Sequence, residues 1–414
     1  MKKIVVIGGG ISGLCSAYYL LKEGHQVTVL DKSFITTGAS FINAGYLTPS
    51  HFIPLAAPGI ITQGLKWMLN SASPFYIKPR IDVDFFKWGL HFKKSATKKN
   101  VEQSIPVLKE LNLKSQSLFE KMIYDLDFEF HYEKKGVLMA YTNAKSEEEE
   151  HKVAHRAIQE GLDVTCLSTE EVHQLEPVLS DNVIGGVHFK CDSHMTPNHF
   201  MNDLKYWLSK KGVVFKVNEE VKDFSIKGNE IYSVITQNET YEADAFVLAS
   251  GSWTTQLAKK LNLSIPIQGG KGYSMDVHRP TGITIPTILV EARSAITPMD
   301  GFTRFAGTME FSGNNNLVRT KRVQALANAV KTYYQDIEIN EEERAQATAG
   351  LRPVSPDGVP FIGKTKKYKN LTVAAGHAMM GWSLGPITGK LVAELVDNKD
   401  TSVNTNPLSP ERFS

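Results

Sequence analysis

The 414-residue sequence predicts an α/β fold, and three observations carry the prediction. A β-branched run, Ile4 to Ile7, leads directly into a glycine turn and then into an apolar helical pattern from Gly13 to Lys22. Short apolar runs bounded by turn residues recur far downstream, at Gly185 to Phe189, Val213 to Val217, Glu230 to Thr236 and Ala245 to Ala249. The chain is also longer than one hydrophobic core usually organises, so two units are expected, with segments free to interleave.

Taken in order, Gln26 to Leu30 reads as a second strand and completes a βαβ unit. Thr36 to Pro58 is rich in Gly, Ala, Pro and small polar residues, which predicts an irregular segment too long for a simple connection. Ile60 to Met122 has apolar residues recurring at three and four and reads as largely helical. Gly136 to Tyr141 follows as a strand and Lys145 to Glu160 as a helix. Between Pro266 and Thr320 short strands and turns are expected, then helices at Val323 to Tyr334 and Ser383 to Val396.

Hydrophobic residues make up 42% and charged residues 22%, the balance of a folded globular chain. A net charge of only +2 gives no reason to expect a nucleic acid partner. Cys15, Cys166 and Cys191 are odd in number and lack metal-ligand spacing, so neither a disulfide framework nor a metal centre is expected, and a reduced, cytoplasmic protein is. The N-terminal apolar run breaks at Gly8, too early for a signal peptide. Nowhere do the roughly 18 apolar residues needed for a spanning helix run together.

Gly8-Gly9-Gly10-Ile11-Ser12-Gly13 satisfies GxGxxG in the context that gives the motif meaning, after a strand and opening a helix. Gly8 permits the tight turn, Gly10 the approach of a pyrophosphate, and Gly13 close packing of helix on strand. The helix N-terminus, with Ile11 and Ser12, offers free N–H groups to phosphate. Asp31 ends the second strand, where a carboxylate accepts from a ribose, with Lys32 beside it. The fingerprint alone does not separate FAD from NAD.

Further segments resemble the D-amino-acid oxidase superfamily of flavoproteins, most closely its bacterial D-amino acid dehydrogenases. They are Gly38-Ala39-Ser40 with Asn43-Ala44-Gly45, Pro54-Leu55-Ala56-Ala57-Pro58-Gly59, Lys271-Gly272-Tyr273-Ser274, Gly350-Leu351-Arg352-Pro353 with Pro356-Asp357-Gly358, and Gly376-His377 with Gly381-Trp382. The resemblance implies a Rossmann-type FAD-binding domain over 1–80, 190–260 and 346–414, interleaved with an α+β substrate domain over 81–189 and 261–345 built on an antiparallel or mixed sheet. It places Ser40, Asn43, Ala44 and Gly45 along an extended FAD, and Val221 toward the adenine. It places Gly251 and Trp253 after a cofactor-lining strand, and Gly376, His377, Gly381, Trp382 and Ser383 at the flavin pyrimidine. His377 reads foremost as a structural residue of that turn with no proton-transfer role.

On the substrate side the resemblance places Arg352 beside the flavin, where a guanidinium fork matches an amino acid carboxylate. Tyr273 is expected either to line the substrate cavity or to pack in the core. His51 departs from the family's residue types, so it reads as an active-site neighbour or as an ordinary satisfied histidine. The implied activity is FAD-dependent dehydrogenation of D-amino acids, D-hydroxyproline or D-proline among them. Hydride passes to flavin N5, a 2-oxo acid or cyclic imine results, and electrons go to a quinone or other respiratory acceptor. An oxygen-using oxidase of glycine or sarcosine type is the alternative, and a noncatalytic nucleotide-binding module the alternative of another class. Ile53 to Leu69, with Phe85, Phe86, Trp88 and Leu90 before Lys93, Lys94, Lys98 and Lys99, reads as a helical core face or as a peripheral contact with the inner face of the cell membrane.

Overall fold

In a computed structural model describing residues 1–59, 75–126, 128 and 130–414, the β-branched N-terminal run becomes the strand Lys3–Ile7 of a six-stranded sheet. The strand order is Val214–Lys216, Gln26–Leu30, Lys3–Ile7, Ala245–Leu248, Leu371–Ala375, Phe361–Lys364. All neighbours are parallel except the last pair. Lys3–Ile7 sits where the order reverses, so ligand space is expected outside the carboxyl ends of the strands beside it. The strands are buried on both faces, which is why they read as continuous apolar runs.

Helices Ile11–Lys22 and Gly385–Val396 cover one face and cross almost backbone to backbone. A Cβ on Gly389 would lie 2.4 Å from the Cys15 carbonyl oxygen, so only glycine allows this approach. The crossing puts the N-termini of both helices on the same end of the sheet. The other face carries the antiparallel strands Val221–Lys227, Glu230–Thr236 and Thr240–Glu242, and the helix Thr254–Lys260.

A second, nine-stranded mixed sheet is centred on two long antiparallel strands, Gln268–Val277 and Phe302–Phe311. Short strands were expected in this stretch. Ten-residue strands form because Gln268–Val277 is covered on both sides and so shows none of the alternation that signals a half-exposed strand. Helix Thr320–Tyr333 packs Val323, Leu326, Ala327 and Val330 onto one face around Tyr273, Met275 and Phe305.

Two segments sit differently from the expected boundaries. Strand Thr348–Val354, within the stretch assigned to the FAD-binding domain, pairs antiparallel with Gln268–Val277 as the edge of the nine-stranded sheet. Helix Lys98–Leu126, within the substrate-domain stretch, places Phe119, Met122 and Leu126 in the core around Ile11–Lys22. The expected helical and apolar segments that include 60–74 lie partly outside the described residues. Helix Ala144–Gln159 begins one residue before expectation, where the Asn143 side chain accepts from Ser146 N at 3.0 Å. All three cysteines are free.

Candidate active site

One cavity of about 700 Å³ runs from the glycine turn to the nine-stranded sheet. At its inner end Gly8 has φ +111, and a Cβ there would lie 2.4 Å from Ala249 O, so the turn demands glycine. Gly13 does not line the cavity. Its missing Cβ is what lets the helix sit on Gly8 O, which such an atom would approach to 1.9 Å. Gly10, Ile11 and Ser12 do line it, and the helix has no side-chain cap at Gly10.

Asp31 lines the cavity but already accepts from Gly9 N at 2.7 Å and from both Ser33 N and Ser33 Oγ at 2.7 Å. It therefore also ties the glycine turn to the second strand. Lys32 Nζ lies 3.3 Å above the Trp253 ring, and both residues line the cavity with Val221 and Gly251.

The loop from Gly38 to Gly45 is fixed at several points. Ser40 Oγ accepts from Ile11 N at 3.1 Å, and Asn43 Oδ1 accepts from Gly45 N at 2.8 Å. Buried Arg304, held bidentately by Asp276, donates to Asn43 O at 2.8 Å, and Thr297 Oγ1 donates to Ala44 O at 2.8 Å. Ser40, Asn43 and Ala44 line the cavity, whereas Gly45 packs on Met195 O. Arg304, Asp276 and Thr297 escaped the sequence reading because they support the loop from another sheet.

At the other end, His377, Gly381, Trp382 and Ser383 line the cavity just before helix Gly385–Val396, which has no side-chain cap. Gly376 does not; a Cβ there would lie 2.6 Å from the Phe361 ring. His377 is buried and its Nε2 lies 2.9 Å from Thr388 Oγ1, which itself donates to Leu384 O, so Nε2 carries the hydrogen. Burial pushes the His377 pKa down to about 4, leaving a neutral ring. Ser383 Oγ donates to Tyr46 O at 2.9 Å and accepts from Thr48 N at 3.1 Å, joining this turn to the loop after Gly45.

The same turn is bonded to the strand that carries Arg352, through Ala378 N to Pro353 O at 2.8 Å. The Arg352 guanidinium lies flat across Gly272, where a Cβ would come within 2.2 Å of Nη1. Nη1 donates to Thr308 O at 2.8 Å, and no carboxylate among the described residues pairs with it. Burial lowers its pKa to about 10, so it keeps its charge at physiological pH. Thr308 stands at φ +65 with its hydroxyl buried and unpartnered. Neither Gly272 nor Thr308 carried a signal beyond the quoted Lys271-Gly272-Tyr273 run.

Tyr273 was expected to line the cavity or to pack in the core; it borders the cavity, and its side chain packs in the core. Side chains alternate along a strand, so Tyr273 faces away from Arg352 into the core under helix Thr320–Tyr333. Its hydroxyl is committed to buried Glu310 at 2.8 Å, within a cluster that includes Lys271, Arg319 and Arg322.

His51 lines the cavity with partners behind it. Its Nδ1 lies 3.0 Å from Ser50 Oγ, and Ser50 donates to Asp192 through Oγ at 2.5 Å and through N at 3.0 Å. With Asp192 ionised, the Ser50 hydrogen is committed to it, so His51 Nδ1 is the donor and Nε2 the bare nitrogen. Burial raises Asp192 to about 7 and lowers His51 to about 4.

Two uncapped helix N-termini thus face one elongated cavity, with a glycine cradle at one end and a charged guanidinium at the other. Those donors suit the diphosphate and the electron-rich pyrimidine edge of an extended flavin dinucleotide.

The family model described as DAO, FAD dependent oxidoreductase, matches residues 3–395. A D-amino acid dehydrogenase of Helicobacter pylori is 33% identical over 396 residues, covering 95% of this chain and 94% of that protein. One from Neisseria meningitidis is 31% identical over 418 residues, covering 99% of each. Among solved structures, glycine oxidase from Geobacillus kaustophilus superposes with a TM-score of 0.79 at 22% identity, covering 100% of both chains. L-proline dehydrogenase from P. horikoshii does so at 0.71 and 19% identity, covering 99% of this chain and 97% of that one.

Proposed function

Because the chain belongs to the DAO family of FAD-dependent oxidoreductases, we propose that it is a dehydrogenase oxidising the Cα–N bond of D-amino acids. Electrons would leave through a quinone or another respiratory acceptor. The observation that carries the reading is the charged Arg352 guanidinium, held in the cavity without a carboxylate partner among the described residues. Names of relatives at 31–33% identity support the D-amino acid.

Gly8–Ile11, Ser40–Ala44 and the Gly381–Ser383 turn would hold FAD, which would supply the hydride acceptor when bound. Arg352 fixes the substrate carboxylate by a two-pronged contact, which orients Cα by proximity rather than by bond-making. The substrate reacts as the neutral amine, its ammonium proton having gone to solvent. With Asp192 ionised, His51 Nε2 is the bare nitrogen and would accept a hydrogen bond from that amine, which helps Arg352 to orient Cα. The resulting imine hydrolyses to a 2-oxo acid, or remains a cyclic imine when the substrate is D-proline or D-hydroxyproline.

Anaerobic flavin bleaching across D- and L-amino acids, hydroxyprolines included, tests the assignment. Bleaching is expected with D-isomers, and reoxidation by a quinone analogue should outpace reoxidation by oxygen. Bleaching confined to L-isomers, or rapid peroxide release with oxygen as sole acceptor, would refute it.

His51→Asn is expected to keep FAD and lower kcat/KM about tenfold, the loss of one charge-free orienting contact. It has a stability signature too. Burial holds the His51 pKa at about 4, below the ordinary 6.5, so its contribution is full above 6.5 and is lost as pH falls toward 4. His51→Asn should therefore soften the acid decline of the thermal midpoint over that window, while His377 continues to contribute to it. Asp192 has the opposite sign, its contribution fading as pH rises toward about 7. An unchanged acid limb would mean that His51 is not held neutral at its partly buried position.

A quinone acceptor also fits the helix Val83–Ser95. Trp88 packs inward on Phe311, while Ile81, Val83, Phe86 and Leu90 are exposed beside basic Lys93 and Lys94. No helix among the described residues is long and apolar enough to cross a membrane. Phe86→Glu with Leu90→Glu is expected to abolish sedimentation with anionic vesicles and to spare activity with a soluble acceptor; undiminished sedimentation would exclude this face.

A further inference from the structure

We infer that His131, Glu133 and His194 form a site for a divalent metal ion of the zinc class, on a small sheet beside the flavin cavity. The sheet consists of Tyr46–Leu47, Ser193–Met195 and Tyr132–Glu133, antiparallel throughout, with Tyr46, His194 and Glu133 in one register row. Directly opposed residues project from the same face, and so do residues two apart on one segment. Pairing thereby brings Glu133 and His131 to His194 from far along the chain, which is why no metal-ligand spacing marks the sequence.

One ligating atom of each residue lies within 4.8 Å of the other two. Glu133 Oε2 is 3.7 Å from His131 Nε2 and 3.6 Å from His194 Nε2. Those separations are too long for hydrogen bonds. They lie close to the ligand–ligand edge of about 3.3–3.5 Å that tetrahedral zinc imposes with bonds of about 2.0–2.2 Å.

The second observation is His194 itself, fully buried with neither ring nitrogen making a hydrogen bond of ordinary geometry. Buried polar atoms are rarely left so, and a metal ion is one partner that satisfies them. His131 is oriented from behind, its Nδ1 lying 3.1 Å from Thr196 Oγ1, which also accepts from Asp300 N at 3.0 Å. Such outer contacts hold a ligating imidazole in place.

Two imidazoles and one carboxylate suit zinc better than calcium or magnesium, which prefer all-oxygen sites. Lys135 Nζ, 2.7 Å from Glu133 Oε2, is the competitor for the carboxylate, and it is exposed enough to swing away. Asp300 and His199, paired at 3.3 Å, are the nearby groups of the adjoining elements. A bound ion would fasten Ser193–Met195 to Tyr132–Glu133. It would thereby stiffen Tyr46, a cavity residue, and Gly45, whose carbonyl accepts from Met195 N at 3.0 Å.

The test uses untagged, FAD-loaded protein stripped with chelator and titrated with Zn²⁺ alone, with metal content and heat of binding measured. Saturation at one Zn²⁺ per chain and a raised thermal midpoint are expected. His131→Ala and Glu133→Gln, both at partly exposed positions, should each weaken binding at least about tenfold while the flavin spectrum is kept. Lys135→Ala leaves every ligand in place and should bind Zn²⁺ more tightly. Absence of saturable binding, or equal affinity in His131→Ala, Glu133→Gln and the parent, would overturn the site, as would weaker binding in Lys135→Ala.

Discussion

Arg352→Ala is expected to give a yellow, FAD-loaded protein whose kcat/KM falls by about two to three orders of magnitude, mostly through KM. Truncating one partner of a desolvated, hydrogen-bonded charge pair costs about 2–5 kcal/mol, because the other charge is left unpaired. In the proposed function that other charge is the substrate carboxylate. In the parent the guanidinium has Thr308 O as its hydrogen-bond acceptor and the face of Gly272 beneath it. Arg352→Lys should recover little, since an ammonium cannot present the planar fork. Gly272→Ala probes the same placement without touching the charge. Its Cβ would fall 2.2 Å from Nη1 and 2.7 Å from Cζ, so the fork must lift, and KM should rise while the flavin spectrum stays. Steady-state kinetics decide: unchanged KM in Arg352→Ala for every accepted amino acid would take Arg352 out of the substrate site.

What was legible in the chain was local. A strand, a glycine turn and a helix lie consecutively at residues 3–22, so their joint meaning survives in the sequence. Arg352 stood out as a candidate through its Gly-Leu-Arg-Pro setting, but its position did not. That depends on Gly272 in a neighbouring strand, which the register of Gln268–Val277 with Thr348–Val354 brings beneath it. The His51 chain shows the same limit, since Ser50 is adjacent whereas Asp192 arrives only when 137–195 folds against the loop. For Tyr273 the motif named the residue without naming the face: it borders the cavity, yet its hydroxyl bonds to Glu310. The interleaving has a comparable cause. Thr348–Val354 leads toward the Gly376–Ser383 turn, so sequence proximity suggests one unit where the hydrogen bonds place it in the other sheet.

Two glycine substitutions in the N-terminal turn should separate cofactor binding from folding. Gly10→Val is expected to fold but to lose FAD. A Cβ at Gly10 meets only Ser40 Oγ, at 3.3 Å, a hydroxyl that can rotate, so the protein itself accommodates it. The added methyls instead occupy the space before the helix N-terminus that a pyrophosphate needs. Overpacking of about 1–3 kcal/mol there weakens FAD by about 5- to 150-fold, and loss of N–H contacts adds to it. Gly13→Ala makes the smaller chemical change with the larger structural result. Its Cβ would stand 1.9 Å from Gly8 O, so the helix must leave the strand, taking with it the crossing at Cys15 and Gly389. Its thermal midpoint should fall by several degrees whether or not FAD is added. Circular dichroism with FAD titration distinguishes the two. Gly10→Val binding FAD as the parent does would mean that the diphosphate does not cross that turn, and a Gly13→Ala protein of parental stability would mean that helix and strand are not in close contact there.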